Sequence, residues 1–240
     1  MADLTRYVIL RDDFIGGDVV GDDTATALGE LGWVVTDVAG AANSDVTAHA
    51  TAADIKGHPG VIALFTGPTT PAAADEASLF LGNVDSIVLN DATDTVGDNR
   101  EYVYAAAIVR FPSIVEFEFY FGLFDSASAA GRGVNSISCE LDISADAEFN
   151  LVVVDGSAAA SVASTVTAAA DTWYLIELLA HEDECQMWIN RDPATAVRIV
   201  DVDIPDDTPM GPGFKVTTEG TDEKSVLIDA FMLRVPVDRV

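Results

Sequence analysis

The sequence predicts an all-β protein, a two-sheet antiparallel sandwich, and three observations lead there. Short segments rich in Val, Ile, Phe, Tyr and Thr recur along the whole chain, many with period-two alternation. Gly, Asp, Pro and Ser clusters of turn type separate them. No window sustains a capped helical period, which leaves room for a single helical turn at most.

In chain order the strands are "YVIL", "GWVVTDV", "GVIALFTG", "SIVLN", "EYVYAAAIVRF", "VEFEFYFGLFD", "NSISCELDIS", "FNLVVVDG", "TWYLIELLA", "CQMWIN", "VRIVDVDIP", "GFKVTTE" and "SVLIDAFMLRV". Their short connections favour antiparallel neighbours, each burying one face in a two-sheet stack. The Ala/Thr/Ser-rich stretches 39–53 and 157–170 suit edge strands or loops better than a packed centre. "HEDE", 181–184, is the tip of a hairpin whose first strand turns Tyr174, Ile176 and Leu178 inward. With 240 residues and no convincing linker, 12–240 reads as one domain. Residues 1–11 precede it as an arm or first strand.

Twelve basic residues against 40 acidic ones give a formal charge of −28, which repels phosphate backbones and anionic membranes. Neither nucleic acid nor a membrane is an expected partner. The apolar run at the N-terminus, Tyr7 to Leu10, is too short for a signal-peptide core or a membrane span, so folding in a cytoplasm is expected. Cys139 and Cys185 share strand parity with apolar neighbours and read as buried, inert thiols.

The segments "DDFIGG", "LGW", "HPGVIALFTG", "FYFGLFD", "GVNSISCELD", "TWYLIELLA", "MWIN", "VDIPDDTPMGPGFKVTT" and "VLIDAFMLRV" occur in an order that resembles concanavalin A-like (laminin-G-like) jelly-roll domains of tailed-phage virion proteins. The resemblance covers nearly the whole chain from Asp12 onward and implies a jelly-roll sandwich. His58-Pro59-Gly60 would turn the chain into the strand that follows. Trp173 and Trp188 would be large buried anchors needing partners for their N–H groups. Pro205, Pro209 and Pro212 punctuate the loop before Phe214, while Ile228, Phe231 and Leu233 pack inward.

Strand alternation in "VEFEFYFGLFD" puts Val115, Phe117, Phe119 and Phe121 on one face and Glu116, Glu118 and Tyr120 on the other. Glucanases of the same broad fold carry Glu-x-Asp-x-x-Glu or Glu-x-Asp-x-Glu on such a face. Same-face neighbours lie about 7 Å apart, and paired carboxylates work at about 5–5.5 Å or roughly 6.5–9.5 Å, so spacing alone permits a pair. Tyr120 stands where the third carboxylate belongs, and a phenol of pKa about 10 is a poor proton donor for that role. The face therefore reads as solvated or carbohydrate-facing, with Tyr102, Tyr104 and Tyr120 as sugar-stacking candidates beside Glu116 and Glu118.

No G-x-S-x-G elbow is present, and His49, His58 and His181 are too scattered for a zinc site. No cofactor is required. Calcium is the metal that "DVDIPDD" (Asp201, Asp203, Asp206, Asp207) or "NDATDTVGDN" (Asp91, Asp94, Asp98) would take.

The resemblance implies a non-enzymatic virion structural protein, a capsid decoration or cement protein on the particle exterior. Its partners would be the major capsid protein or other virion proteins, and its form a homo-oligomer such as a trimer at a local three-fold. Arg6 and Arg11 in the N-terminal segment would be its docking cations. The expected location is the virion, assembled in the host cytoplasm. An alternative is a carbohydrate-binding module of a tail fibre or adhesion protein reading host surface glycans; a third is a glycoside hydrolase.

Overall fold

The computed structural model describes residues 6–14, 20–21, 29, 31–38, 45–48, 60–66, 75–81, 87–89, 102–126, 131–156, 158–200, 204–205 and 208–237. These form two antiparallel sheets. The nine-stranded sheet holds β1 (Arg6–Asp12), β2 (Val20–Gly21), β4 (Asp45–Ala48), β5 (Ile62–Phe65), β7 (Val103–Arg110), β12 (Trp173–Ala180), β13 (Glu184–Ile189), β14 (Val197–Val200) and β16 (Ser225–Val237). The seven-stranded sheet holds β3 (Trp33–Val38), β6 (Glu76–Leu81), β8 (Phe117–Phe124), β9 (Asn135–Asp142), β10 (Glu148–Asp155), β11 (Ala158–Thr167) and β15 (Gly211–Thr218). Among the described residues the only helix is one 3-10 turn, Pro193–Thr195, so none is long and apolar enough to cross a membrane.

The first sheet runs β14-β13-β12-β7-β16-β5-β4-β2, and the second β11-β10-β9-β8-β15-β6-β3. A bulge between Ile228 and Ala230 interrupts the pairing of the long β16 with β7, and on its other edge β16 serves two neighbours. Its start pairs with β5 and its end with β1, from Arg6↔Val237 to Asp12↔Phe231.

Alternation decides the core. Phe117, Phe119, Phe121 and Leu123 of β8 face Tyr174, Ile176 and Leu178 of β12 and Ile228, Phe231 and Leu233 of β16 across one apolar layer. Trp33 packs edge-on against Phe231 at 4.8 Å between ring centroids, and Phe121 stacks on Phe214 at 5.0 Å. Burying each such ring is worth about 1.5–3 kcal/mol. Cys139 and Cys185 are free and buried, and burial pushes both thiols up, Cys185 to about 12.

Several expectations need correction. Of the two forms expected for residues 1–11, Arg6–Asp12 takes that of a first strand, and only the boundary at residue 12 moves, because it falls on the strand's last residue. Among its described residues, "SIVLN" supplies only the isolated bridge Ile87↔Met210. Strands β2, β4, β6 and β11 are additional to the strands the sequence predicts; β11 is an edge strand, as its small residues suggest. Trp173 and Trp188 are half-buried rather than buried. The parity that turns Tyr174 and Ile176 inward turns Trp173 outward, against Val61, Ala63 and Leu227. His58-Pro59 and the aspartates of both calcium-type loops lie outside the described residues.

Candidate functional site

The outer face of the seven-stranded sheet carries a grid of polar groups. Across β9, β8, β15 and β6, the register aligns Glu140, Tyr120, Lys215 and Ser78 in one row. Asp142, Glu118, Thr217 and Glu76 form the next row, and Ser138, Gly122, Gly213 and Phe80 a third. Each follows from alternation with an inward residue, such as Leu141 beside Glu140 or Phe214 beside Lys215.

This outer face is largely closed off: Tyr120, Glu140, Lys215, Ser78 and Glu76 are all buried. Part of the cover is the turn at 131–132. The Gly131 N–H donates to Glu76 Oε2 at 2.6 Å, and Arg132 pairs with Glu140 at 3.0 Å. Lys215 Nζ lies 3.7 Å from Glu76 Oε1, with the Phe80 and Phe124 rings 5.6 and 5.1 Å away. Burial pulls the Lys215 ammonium pKa down and pushes the Glu76 carboxyl up, against their mutual attraction.

An open cleft of about 210 Å³ remains beside this cover, lined by Glu118, Tyr120, Arg132, Glu140, Asp142 and Asn150 among others. Tyr120 donates its hydroxyl to Glu118 Oε2. Burial first, and the Glu118 carboxylate second, hold the phenol far above its ordinary range. Glu118 is itself pushed up by burial, which outweighs the Tyr120 hydrogen bond. Glu140 is pushed up to about 7 by burial, against the pull of Arg132 and of Ser138, whose hydroxyl donates at 3.1 Å. Arg132 is 43% exposed, so solvent screens its charge and its pull is the weaker effect.

Glu118, Asp142 and Glu219 bring carboxylate oxygens within 4.8 Å of one another, an all-oxygen set of the kind hard cations take. Ser144 Oγ lies 2.9 Å from Asp142 Oδ1 and 2.7 Å from Glu219 Oε1, so its single hydroxyl proton serves one of the two at a time.

The residues singled out in the sequence do not share one surface. Glu118 and Tyr120 meet in the cleft. Glu116 precedes the strand: its φ of 51° breaks the alternation, and it stands exposed against Gly220. Val115, expected inward with Phe117, is 57% exposed for the same reason. Tyr102 and Tyr104 lie on the other sheet, where Tyr102 donates to Glu184 and Tyr104 to Glu177 Oε1 at 2.6 Å. They cannot join Tyr120 in one binding face. Arg11 is exposed on β1 beside Tyr104, whereas Arg6 opens the same strand with its side chain outside the described residues. Sequence reading missed Glu76, Arg132, Glu140, Asp142 and Lys215. The alternation Ser136, Ser138, Glu140, Asp142 against Ile137, Cys139, Leu141 was the available signal for two of them.

Two antiparallel sheets stacked over one apolar layer define a jelly-roll sandwich of the concanavalin A-like kind. No protein-family model matches the chain, and no curated protein sequence matches it. Solved structures do. A protein of unknown function from Shewanella oneidensis MR-1 is similar at TM-score 0.62 and 13% identity, covering 100% of this chain and 92% of that one. The Emp46p carbohydrate recognition domain in its potassium-bound form is similar at 0.51 and 13%, covering 85% and 88%. A glycosyl hydrolase family protein from Mycobacterium fortuitum is similar at 0.52 and 12%, covering 95% and 99%.

Proposed function

We propose that this chain is a non-catalytic carbohydrate-binding jelly-roll domain whose cleft is formed by Glu118, Tyr120, Arg132 and Glu140. The observation that carries this reading is the convergence of an aromatic, several carboxylates and one arginine on an open cleft over a rigid sheet. Such groups accept and donate hydrogen bonds to sugar hydroxyls in fixed directions. The resemblance in fold to the Emp46p carbohydrate recognition domain lends support. Charge narrows the ligand: even with Glu118 and Glu140 raised toward their neutral forms, Asp142 and Asp146 outnumber Arg132, which favours neutral or amino sugars and disfavours uronates. The carboxylates of Glu118 and Glu140 are held by Tyr120, Arg132 and Ser138, and this supports binding over turnover.

A glycan array followed by calorimetry is the test. Saturable binding of neutral or amino-bearing oligosaccharides, lost in Arg132→Ala and Glu118→Gln, is the expected result. Binding that survives both substitutions overturns the site, and polysaccharide cleavage abolished by Glu118→Gln overturns the non-catalytic assignment in favour of a glycoside hydrolase.

The order of motifs along the chain favours a second reading, in which the domain is displayed on a virion as a decoration or cement protein bound to the major capsid protein, as a trimer or other homo-oligomer. Purified particles that bind the protein, and lose it on Arg11→Glu, would support this role; absence of any particle binding would remove it.

A further inference from the structure

The outer face of the nine-stranded sheet has a different character. Its rows across β1, β16, β7 and β12 read Ile9, Arg234, Tyr104, Leu179, then Arg11, Met232, Ala106, Glu177, then Ala230, Ile108, Leu175. The small side chains of Ala106 and Ala230 leave an open groove of about 320 Å³ there, at the lower end of ligand-site sizes. Its floor is aliphatic: Ile108, Leu175 and Met232 join the two alanines.

Two arginines line this apolar groove and a third stands one row away, in a chain with 40 acidic and only 12 basic residues. Arg11 lines it, is exposed, and makes no ion pair among the described residues. Arg191 lines it too, 74% exposed, with its Nε 3.6 Å from Glu177 Oε1. Arg234, one row away, lies over the rings of Tyr7 at 4.5 Å and Tyr104 at 5.9 Å, and its buried Nε has no hydrogen-bond partner. Two acids also line the groove: Asp12, whose carboxylate is occupied by Phe14, Leu31 and Trp33, and the exposed Asp13.

We propose that this groove binds an aliphatic carboxylate, the alkyl chain lying on the Ala106–Met232 floor and the carboxylate meeting Arg11 and Arg191. Bidentate pairing with guanidinium matches a carboxylate's geometry, and the alkyl chain covers apolar surface now open to water. A sugar ring fits poorly, because the floor offers its hydroxyls no polar partner. The site lies on the opposite outer face from the saccharide cleft and stands or falls apart from it.

Titrating the full chain with octanoate below its micellar range, followed through methyl NMR signals, tests the assignment. Saturable shifts of Ile108, Leu175 and Met232 are expected, tightening by up to about fourfold per methylene from hexanoate to octanoate. Binding should weaken severalfold as salt rises, because the arginines are exposed. Octylamine should not compete, and octanol should bind more weakly. Ala106→Leu, which fills the floor, should abolish binding; Arg11→Gln with Arg191→Gln, both at exposed positions that leave the core intact, should weaken it severalfold. The proposal is overturned if octylamine binds as tightly as octanoate, if the shifts map elsewhere, or if the arginine substitutions leave the affinity unchanged.

Discussion

Tyr120 donates its hydroxyl to Glu118, its same-face neighbour two residues earlier on β8. The phenol is buried and keeps its proton at any ordinary pH, so it is a fixed donor aimed at a carboxylate. Tyr120→Phe removes the donor and little volume. A hydrogen bond to a charged group contributes about 1.5–3 kcal/mol, and the loss in urea-unfolding free energy should fall in or just below that range because Glu118 stays half-exposed. The Glu118 pKa, followed by NMR, should rise further in the variant, since the bond that held it down is gone. A Glu118 pKa that stays put or falls contradicts the contact.

Glu140 sets a second expectation, in pH. Its carboxyl is raised from an ordinary 4.5 to about 7, so between those values the native state holds a proton that the unfolded chain releases. Native binding of the extra proton makes stability fall as pH rises through that window. The effect is present in full below pH about 4.5 and is lost by about 7, a difference of about 3 kcal/mol at most. Glu118 and Glu76 are shifted in the same direction and add to the slope. Glu140→Gln should flatten the stability–pH curve measured by chemical denaturation between pH 4.5 and 7. An unchanged slope in the variant removes Glu140 as its source.

The fold was legible because period-two alternation is a local property: Phe117, Phe119 and Phe121, or Tyr174, Ile176 and Leu178, announce their inward face without knowledge of neighbours. The site was legible only where it lay within one strand, as Glu118 and Tyr120 do. Glu76 and Lys215 are 139 residues apart in sequence (215 less 76) and meet only through the β6–β15 pairing, which no local pattern encodes. Glu116 misled for the converse reason. Its left-handed backbone breaks alternation at a non-glycine residue, and nothing in "SIVEFEF" signals that turn. The tyrosines misled because alternation separates inward from outward on each sheet but does not say which sheet a strand joins.

Gly122 gives a third prediction. A Cβ built there would lie 2.1 Å from the Ile137 carbonyl oxygen and 2.7 Å from Ser138 Cα, both backbone of the neighbouring β9. Neither can yield without moving the strand that carries Glu140. Gly122→Ala should therefore lower unfolding stability by about 3 kcal/mol or more and weaken saccharide binding at the adjacent cleft. Gly213→Ala should be milder, because its Cβ would meet the Phe80 ring, a side chain, at 2.7 Å. Equal effects of the two, read by denaturant midpoints, would contradict the distinction between backbone and side-chain obstruction.

The last prediction concerns how the N-terminal strand is fastened. Asp12, the final residue of β1, is buried and accepts three hydrogen bonds: from Phe14 N at 2.9 Å, Leu31 N at 3.1 Å and Trp33 Nε1 at 3.0 Å. It thus ties β1 of one sheet to β3 of the other, and it links the "DDF" and "LGW" motifs through a single carboxylate. A Cβ on Gly29, whose φ is 65°, would approach Asp12 Oδ2 to 2.4 Å, so this glycine is part of the same fastening. Asp12→Ala leaves three donors without their acceptor, one of them the N–H of the fully buried Trp33, and should cost about 3 kcal/mol or more. Asp12→Asn keeps one acceptor oxygen but turns an amide toward a donor, and should cost less. Trp33→Phe removes one of the three donors, so in the double variant the two losses should fall short of additivity by more than about 0.5 kcal/mol. Strictly additive losses in the double-mutant cycle would mean that the carboxylate does not hold the indole, and that β1 is fastened by its pairing with β16 alone.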